Sequence, residues 1–159
     1  MYKPFAVCAA AILIIAVHGV AQETRSQHTV LTSADVKWGA PPPVLSKGAM
    51  FAVISGDPSK AGPFVIRLKV PAGYKIAPHW HPTDEHVTVI SGTFAVGMGE
   101  KFDSAALKAL PAGGYALLPA EMRHFAMAKT AAIIQVHGMG PFVLNYVNPA
   151  DDPSKTPSK

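Results

Sequence analysis

The chain has 159 residues, enough for one domain that buries its own core and too few for two ordinary ones. Apolar residues make up 49% and charged ones only 15%, which excludes a largely disordered chain. The formal net charge is +4, but the basic residues form no run or stripe, so the sequence points to a mildly basic solvated surface and to no nucleic-acid partner.

Residues 1–21 differ from the rest. Lys3 precedes a continuous apolar stretch from Phe5 to Val17, and the small residues Gly19 and Ala21 stand before Gln22. This order of charge, apolar run and small residues is that of a secretory signal peptide cleaved before Gln22. The stretch falls short of the roughly 20 residues a spanning helix needs, so no stable membrane anchor is expected after cleavage. The mature protein is expected to be exported, either periplasmic or secreted. Cys8 is the only cysteine and would leave with this segment, removing any disulfide, thiolate nucleophile or cysteine ligand.

Residues 22–47 read as an N-terminal arm, with a strand candidate at His28–Thr32 and a stiff connector at Pro41-Pro42-Pro43. From Met50 the pattern becomes strand-like. Phe64, Ile66, Leu68 and Val70 alternate with Val65, Arg67 and Lys69, a period of two with one apolar face. Further strands are expected at Ile76–His81, Glu85–Ile90, Thr93–Met98, Tyr115–Leu118, His124–Ala128, Ala131–His137 and Phe142–Val147. Ser91-Gly92 reads as a hairpin turn. Asp103–Leu110 carries an N-cap candidate ahead of helix formers, so a turn or two of helix is expected before Pro111. Residues 48–149 form the domain, and residues 150–159 a flexible tail rich in proline, lysine and serine. Many short strands, 15 prolines and 13 glycines predict one all-β domain, a sandwich or barrel.

Chemistry concentrates at His79-Trp80-His81. Residues two apart on a strand face one side, roughly 6.6 Å apart, so two imidazoles can converge on one ion. Pro82-Thr83-Asp84 turns the chain, and Glu85 opens the next strand on the same face as Val87 and Val89. A carboxylate at the end of an apolar face is costly unless a cation meets it. His86 falls on the opposite face with Thr88 and Ile90. His124 is a fourth candidate, alternating with Ala126 and Ala128 far along the chain. Only a closed β-structure would bring it to the others.

The stretch from Gly73 through His79, His81 and Glu85 to Gly92 resembles the first motif of the cupin superfamily at every spacing: Gly, five residues, His-x-His, three residues, Glu, six residues, Gly. Gly113, Pro119 and His124 resemble the second motif. Two positions depart from it, with Glu121 where a glycine is usual and Ala128 where an asparagine is usual. The run His81-Pro-Thr-Asp-Glu-His-Val-Thr-Val89 and the ending Tyr146-Val-Asn-Pro-Ala-Asp-Asp-Pro153 are similar to those of small exported single-domain cupins.

The resemblance implies a single cupin β-barrel (a double-stranded β-helix, or jelly roll) that binds one divalent metal ion through His79, His81, Glu85 and His124. Such a nitrogen–oxygen set suits Mn, Fe, Ni or Co, with Zn settling at four ligands. Open coordination positions would then admit a small-molecule substrate or ligand.

Other features have two readings each. His137, in Gln135-Val-His137-Gly138, is a candidate base or ligand-orienting donor, set against a structural or exposed histidine. Glu121 and Arg123 are candidates for a pocket mouth, set against solvated turn charges. Ala95 and Gly97, with Ala126 and Ala128, are expected to leave room around the ion. Gly97-Met98-Gly99 is a turn. No catalytic acid or base can be named. Outward Thr88 and Ile90, with exposed strand edges, lead us to expect a homodimer.

Two functions remain open from the sequence. One is a metal-dependent enzyme acting on a small oxygenated or carbonyl compound, as an oxidoreductase of the dioxygenase kind or as a lyase or isomerase. The other is a non-catalytic cupin that binds a small molecule. A regulatory cupin is disfavoured by the export signal and the lack of a helix-turn-helix region.

Overall fold

The computed structural model describes residues 28–155. The expected signal segment, the start of the arm and the last four residues lie outside the described residues.

Ten strands follow in order: β1 Met50–Ser55, β2 Gly62–Val70, β3 Lys75–Trp80, β4 Glu85–Ser91, β5 Thr93–Met98, β6 Lys108–Pro111, β7 Tyr115–Leu118, β8 His124–Ala128, β9 Ala132–Gly140 and β10 Asn145–Tyr146. They form two five-stranded antiparallel sheets, ordered β1-β2-β9-β4-β7 and β10-β3-β8-β5-β6. The fold is the all-β jelly roll the sequence predicts. Its two sheets pack face to face and, among the described residues, are not joined edge to edge into the closed barrel expected.

Alternation builds the core. Phe64, Ile66, Leu68 and Val70 of β2, Val87 and Val89 of β4, and Ile134 and Val136 of β9 point inward from one sheet. Ile76, Phe94, Val96, Ala126 and Ala128 meet them from the other. Each fully buried Phe, Ile or Val stabilises the fold by about 1.5–3 kcal/mol. A one-residue slip of any of these strands would turn its apolar set to water, so the register is fixed.

Several sequence expectations change here. His28–Thr32 forms no strand; a 3-10 turn at Ser33–Asp35 follows it, with Thr32 and Asp35 capping each other. Asp103 does cap a helical turn, accepting from the Ala105 N–H, but only Ser104–Ala106 wind before β6 begins. Pairing of Lys108–Pro111 with β5 overrides their helix propensity. Ser91-Gly92 is no hairpin, because β4 and β5 belong to different sheets. Gly92 has φ +75°, and a Cβ there would collide with the Ala131 carbonyl oxygen, so glycine alone lets the chain cross between sheets. Of the strand expected over Phe142–Val147, only Asn145–Tyr146 pairs, with β3. Beyond Asn148 the tail winds two 3-10 turns, Pro149–Asp151 and Pro153–Lys155.

The arm packs onto the domain. Gly39 bridges Phe51, Val36 and Leu45 are buried, and two tyrosines hold the arm's backbone. The Tyr74 hydroxyl donates to the Ser46 carbonyl and the Tyr146 hydroxyl to the Val44 carbonyl, each at 2.8 Å. Burial pushes the Tyr74 phenol up to about 12 and raises that of Tyr146, so both remain donors. No helix among the described residues is long and apolar enough to cross a membrane.

Candidate metal centre

Three elements deliver the four residues. His79 lies on β3 directly opposite His124 on β8, and their ring centroids are 4.2 Å apart. His81 follows just past the end of β3. Glu85 opens β4 on the facing sheet, after the turn at residues 82–84. That turn is stapled to the loop before β8: the Ala120 N–H donates to the Asp84 carboxylate and the Glu121 N–H to the His81 carbonyl, both at 2.8 Å. The two motifs seen in the sequence are thus joined by hydrogen bonds from backbone N–H groups, one to a carboxylate and one to a carbonyl. The second motif's departure at Glu121 leaves its turn intact, for Glu121 takes the left-handed conformation itself, with φ +62°.

His79, His81, Glu85 and His124 are all buried, and their ligand atoms lie within 4.8 Å of one another. The imidazole tautomers follow from their partners. The Nδ1 atoms of His79, His81 and His124 sit 2.7, 2.8 and 2.9 Å from the carbonyls of Ala77, Val143 and Met122. A carbonyl only accepts, so each Nδ1 carries the proton and each Nε2 presents a lone pair.

Those lone pairs point at a carboxylate. Nε2 of His124 and of His81 lie 3.2 and 3.5 Å from Glu85 Oε2, yet both are buried without a hydrogen-bond partner. Acceptors facing an acceptor in a dry site repel unless a cation or proton stands between them. The residues therefore fit a divalent ion: three neutral nitrogens and one carboxylate oxygen, already oriented.

The electrostatics agree. Burial pushes the His79 imidazole down to about 3, with repulsion from His124 and His81 adding to it, so His79 stays neutral and ligand-competent. Burial alone would raise the Glu85 carboxyl; it is held well below the usual carboxylate range where His124 and His81 are protonated and bring an N–H and a positive charge to it, the place a cation takes beside neutral rings.

A cavity of about 460 Å³ opens onto His79, His81 and Glu85. One wall is the arm, at Pro41, Pro42 and Val44; another is Phe142, whose ring stacks on His81 at 4.1 Å, with Leu144. Sequence reading missed all five. The prolines looked like a connector, and nothing local marks Phe142 or Leu144 as neighbours of a histidine sixty residues earlier. On the far side of the site, Ala126 borders a void of about 30 Å³, room for a water at most.

Other candidates fall elsewhere. His86 and His137 face outward, stacked at 4.6 Å, so His137 is no donor or base at this site. Ala95 and Gly97 also face away from it; the space left by Gly97 is filled by the Phe125 ring, while Phe94 and Val96 point inward. Glu121 and Arg123 are exposed and line no part of the cavity. Arg123 lies over the Trp80 ring instead.

Two facing sheets with a His-x-His strand end, a glutamate and a distant histidine between them define a cupin. The sequence profile of the ChrR cupin-like domain matches residues 26–143, and the chain belongs to that family. Comparison with curated proteins gives no match. Among solved structures, the fold is similar to the polyketide cyclase RemF from Streptomyces resistomycificus, with 14% identity, a TM-score of 0.66, and 81% of this chain and 92% of that one covered. It is also similar to an acetylacetone dioxygenase from Acinetobacter johnsonii, with 13% identity, a TM-score of 0.59, and coverage of 93% and 88%. An RmlC-like cupin from Shewanella frigidimarina matches with 17% identity, a TM-score of 0.55, and coverage of 72% and 91%. At these identities the likeness is one of fold.

Proposed function

We propose that the protein is a metal-dependent enzyme acting on a small oxygenated or carbonyl compound, with His79, His81, Glu85 and His124 holding one divalent ion. The observation that carries this reading is the set of buried imidazole lone pairs aimed at a buried carboxylate beside a cavity of ligand size. A bound ion would supply Lewis-acid polarisation of a substrate oxygen or, if redox-capable, electron transfer. The chain's own part is to fix the ligand tautomers through the carbonyls of Ala77, Val143 and Met122, and to exclude water with the arm and Phe142. The dioxygenase and cyclase of like fold support the choice of oxidoreductase or of lyase and isomerase chemistry.

Reconstitution of the metal-free protein with Fe, Mn, Ni and Zn, then trial of small diketones, enediols and phenols with and without oxygen, tests this reading. Turnover with at least one metal is expected. Metal binding at normal stoichiometry with no turnover would favour a binding protein.

That second reading has its own observation. Apart from the four candidate ligands, the described residues lining the cavity and the adjoining void offer one polar side chain, Ser59, and its hydroxyl donates to Asp57 at 2.6 Å. Among the described residues, no other titratable side chain lines the cavity or the void.

The apolar stretch Phe5–Val17 supports export, to the periplasm or beyond the cell. The exported protein is expected to begin near Gln22, and intact-mass measurement checks this. A soluble form retaining Met1 would overturn it.

A further inference from the structure

The lining of the 460 Å³ cavity is almost free of polar groups, and that bears on what can enter it. Ile66, Leu68 and Val136 line it beside the prolines of the arm and the Phe142 and Leu144 side chains. Among the described residues, neither lysine nor arginine lines it. Ser59 is already committed to Asp57, so among the described residues only the candidate metal ligands offer further polar side-chain atoms.

Charge then decides the occupant. Three neutral imidazoles and the Glu85 carboxylate reduce a divalent ion to a net charge near +1. A ligand that binds through oxygen as a monoanion brings the buried site to neutrality. A dianion leaves one negative charge in an apolar chamber with no cation to meet it, which is strongly unfavourable. A polyhydroxylated molecule fares badly for a related reason, since each hydroxyl stripped of water without a partner weakens binding about tenfold.

Resting on the metal-centre reading above, we propose that this cavity selects by charge: its ligand is an apolar molecule that chelates as a single negative charge, and dicarboxylates and sugars are rejected. The arm is part of the selection. Pro41, Pro42 and Val44 form a wall that the Tyr146 and Tyr74 hydroxyls hold in place, and that wall supplies apolar surface where a sugar- or acid-binding site would need donors.

The experiment uses the full chain loaded with cobalt, whose visible spectrum reports ligand entry without turnover. Titration with 2,4-diketones from five to nine carbons should show affinity rising about fourfold per added methylene until the cavity fills. Malonate and glucose should bind at least about 100-fold more weakly than the best diketone. Leu144→Arg should tighten malonate at least about tenfold and weaken the longer diketones; Val44→Lys tests the same point should the first variant fold poorly. In parallel, 2-nonanone added to the metal-free protein should raise its melting temperature, and glutarate should not.

The outcomes separate the two readings. If cobalt binds and malonate matches the diketones, charge selection is overturned while the metal centre stands. If cobalt does not bind, the metal centre and monoanion chelation fall together. If 2-nonanone leaves the metal-free protein unchanged, the apolar cavity itself is refuted.

Discussion

His79, His81 and His124 face inward, while His86 and His137 face outward a single residue along from Glu85 and Gly138. Ring spacing barely distinguishes the groups: 4.2–5.5 Å between inner rings and 4.6 Å between the outer pair. What differs is how each ring is held. Every inner Nδ1 donates to a carbonyl, which fixes the tautomer and aims Nε2 at Glu85. The outer His86 Nδ1 meets the Tyr115 hydroxyl at 2.7 Å, a partner that can donate or accept and so fixes nothing. The outer rings lie nearly parallel, at 10°, and converge on no shared point. Histidine density does not make a metal centre; locked tautomers, a convergent carboxylate and burial do.

The sharpest way to break this comparison is to remove rings from each side. Alanine at His79, His81 or His124 is expected to weaken metal binding at least about 100-fold, since a three-ligand remnant loses both donor and geometry. His86→Ala and His137→Ala should keep normal stoichiometry by elemental analysis. Equal losses on both faces would show that the register of β4 is shifted by one residue.

Glu85→Gln separates the ligand role from the folding role. Metal affinity should fall, because a carboxylate is lost. The metal-free protein should become more stable by about 1–3 kcal/mol at pH 8, because an amide can donate where two lone pairs now face an acceptor. Denaturant melts of both forms check this. A metal-free Glu85→Gln protein weaker than wild type would mean the inner tautomers are the opposite ones.

Much of this was legible beforehand, and the boundary is physical. The strands at Thr93–Met98, Tyr115–Leu118 and His124–Ala128 fall where alternation put them. Parity put Glu85 and His86 on opposite faces, and the six-residue spacing from Glu85 to Gly92 chose Glu85 as the inward one. Parity failed for Ala95 and Gly97, since β5 is buried on both faces and small residues there carry no sign of which way they point. The helix expected over Asp103–Leu110 stops after one turn, at Ala106, because a long-range ladder with β5 outweighed a local preference. The cavity walls were invisible for the same reason. Pro41 and Phe142 come to line one cavity only in the fold, where tyrosine hydroxyls hold the arm and His81 stacks on Phe142, partners that no local pattern announces.

Acid should sharpen the contrast between the faces in the metal-free protein. His79 is held near 3 when folded and near 6.5 when unfolded, so between those values the unfolded chain takes a proton that the folded one refuses. Stability should therefore be unaffected by this group above pH 6.5 and fall by about 1.4 kcal/mol per unit below it. The Glu85 carboxyl is shifted down where the neighbouring rings are protonated, so it does not titrate between pH 6.5 and 5, and the slope there comes from imidazoles rather than from the carboxylate. His137 is also lowered, by burial and then by His86, but it lies near solvent and should add little. Urea midpoints measured across that window test the slope, and His79→Gln should flatten it. A flat wild-type profile would show that His79 is not held neutral.

The smallest expected effect comes from the turn that carries the inner group and has no counterpart outside. Glu121 is exposed, so its side chain contributes no packing, yet its backbone sits at φ +62°, where a Cβ crowds the following carbonyl. The turn persists because its main-chain bonds persist: the Glu121 N–H reaches the His81 carbonyl, and its own carbonyl accepts from Arg123 Nη1 at 2.6 Å. Glycine keeps both bonds and removes the crowding, at the cost of extra freedom in the unfolded chain. Glu121→Gly should therefore stabilise the protein by about 1 kcal/mol with metal content unchanged. Glu121→Ala, which retains the Cβ, should gain nothing. If alanine stabilises as much as glycine, the strain is not in the backbone, and the carboxylate of Glu121 must be what the turn opposes.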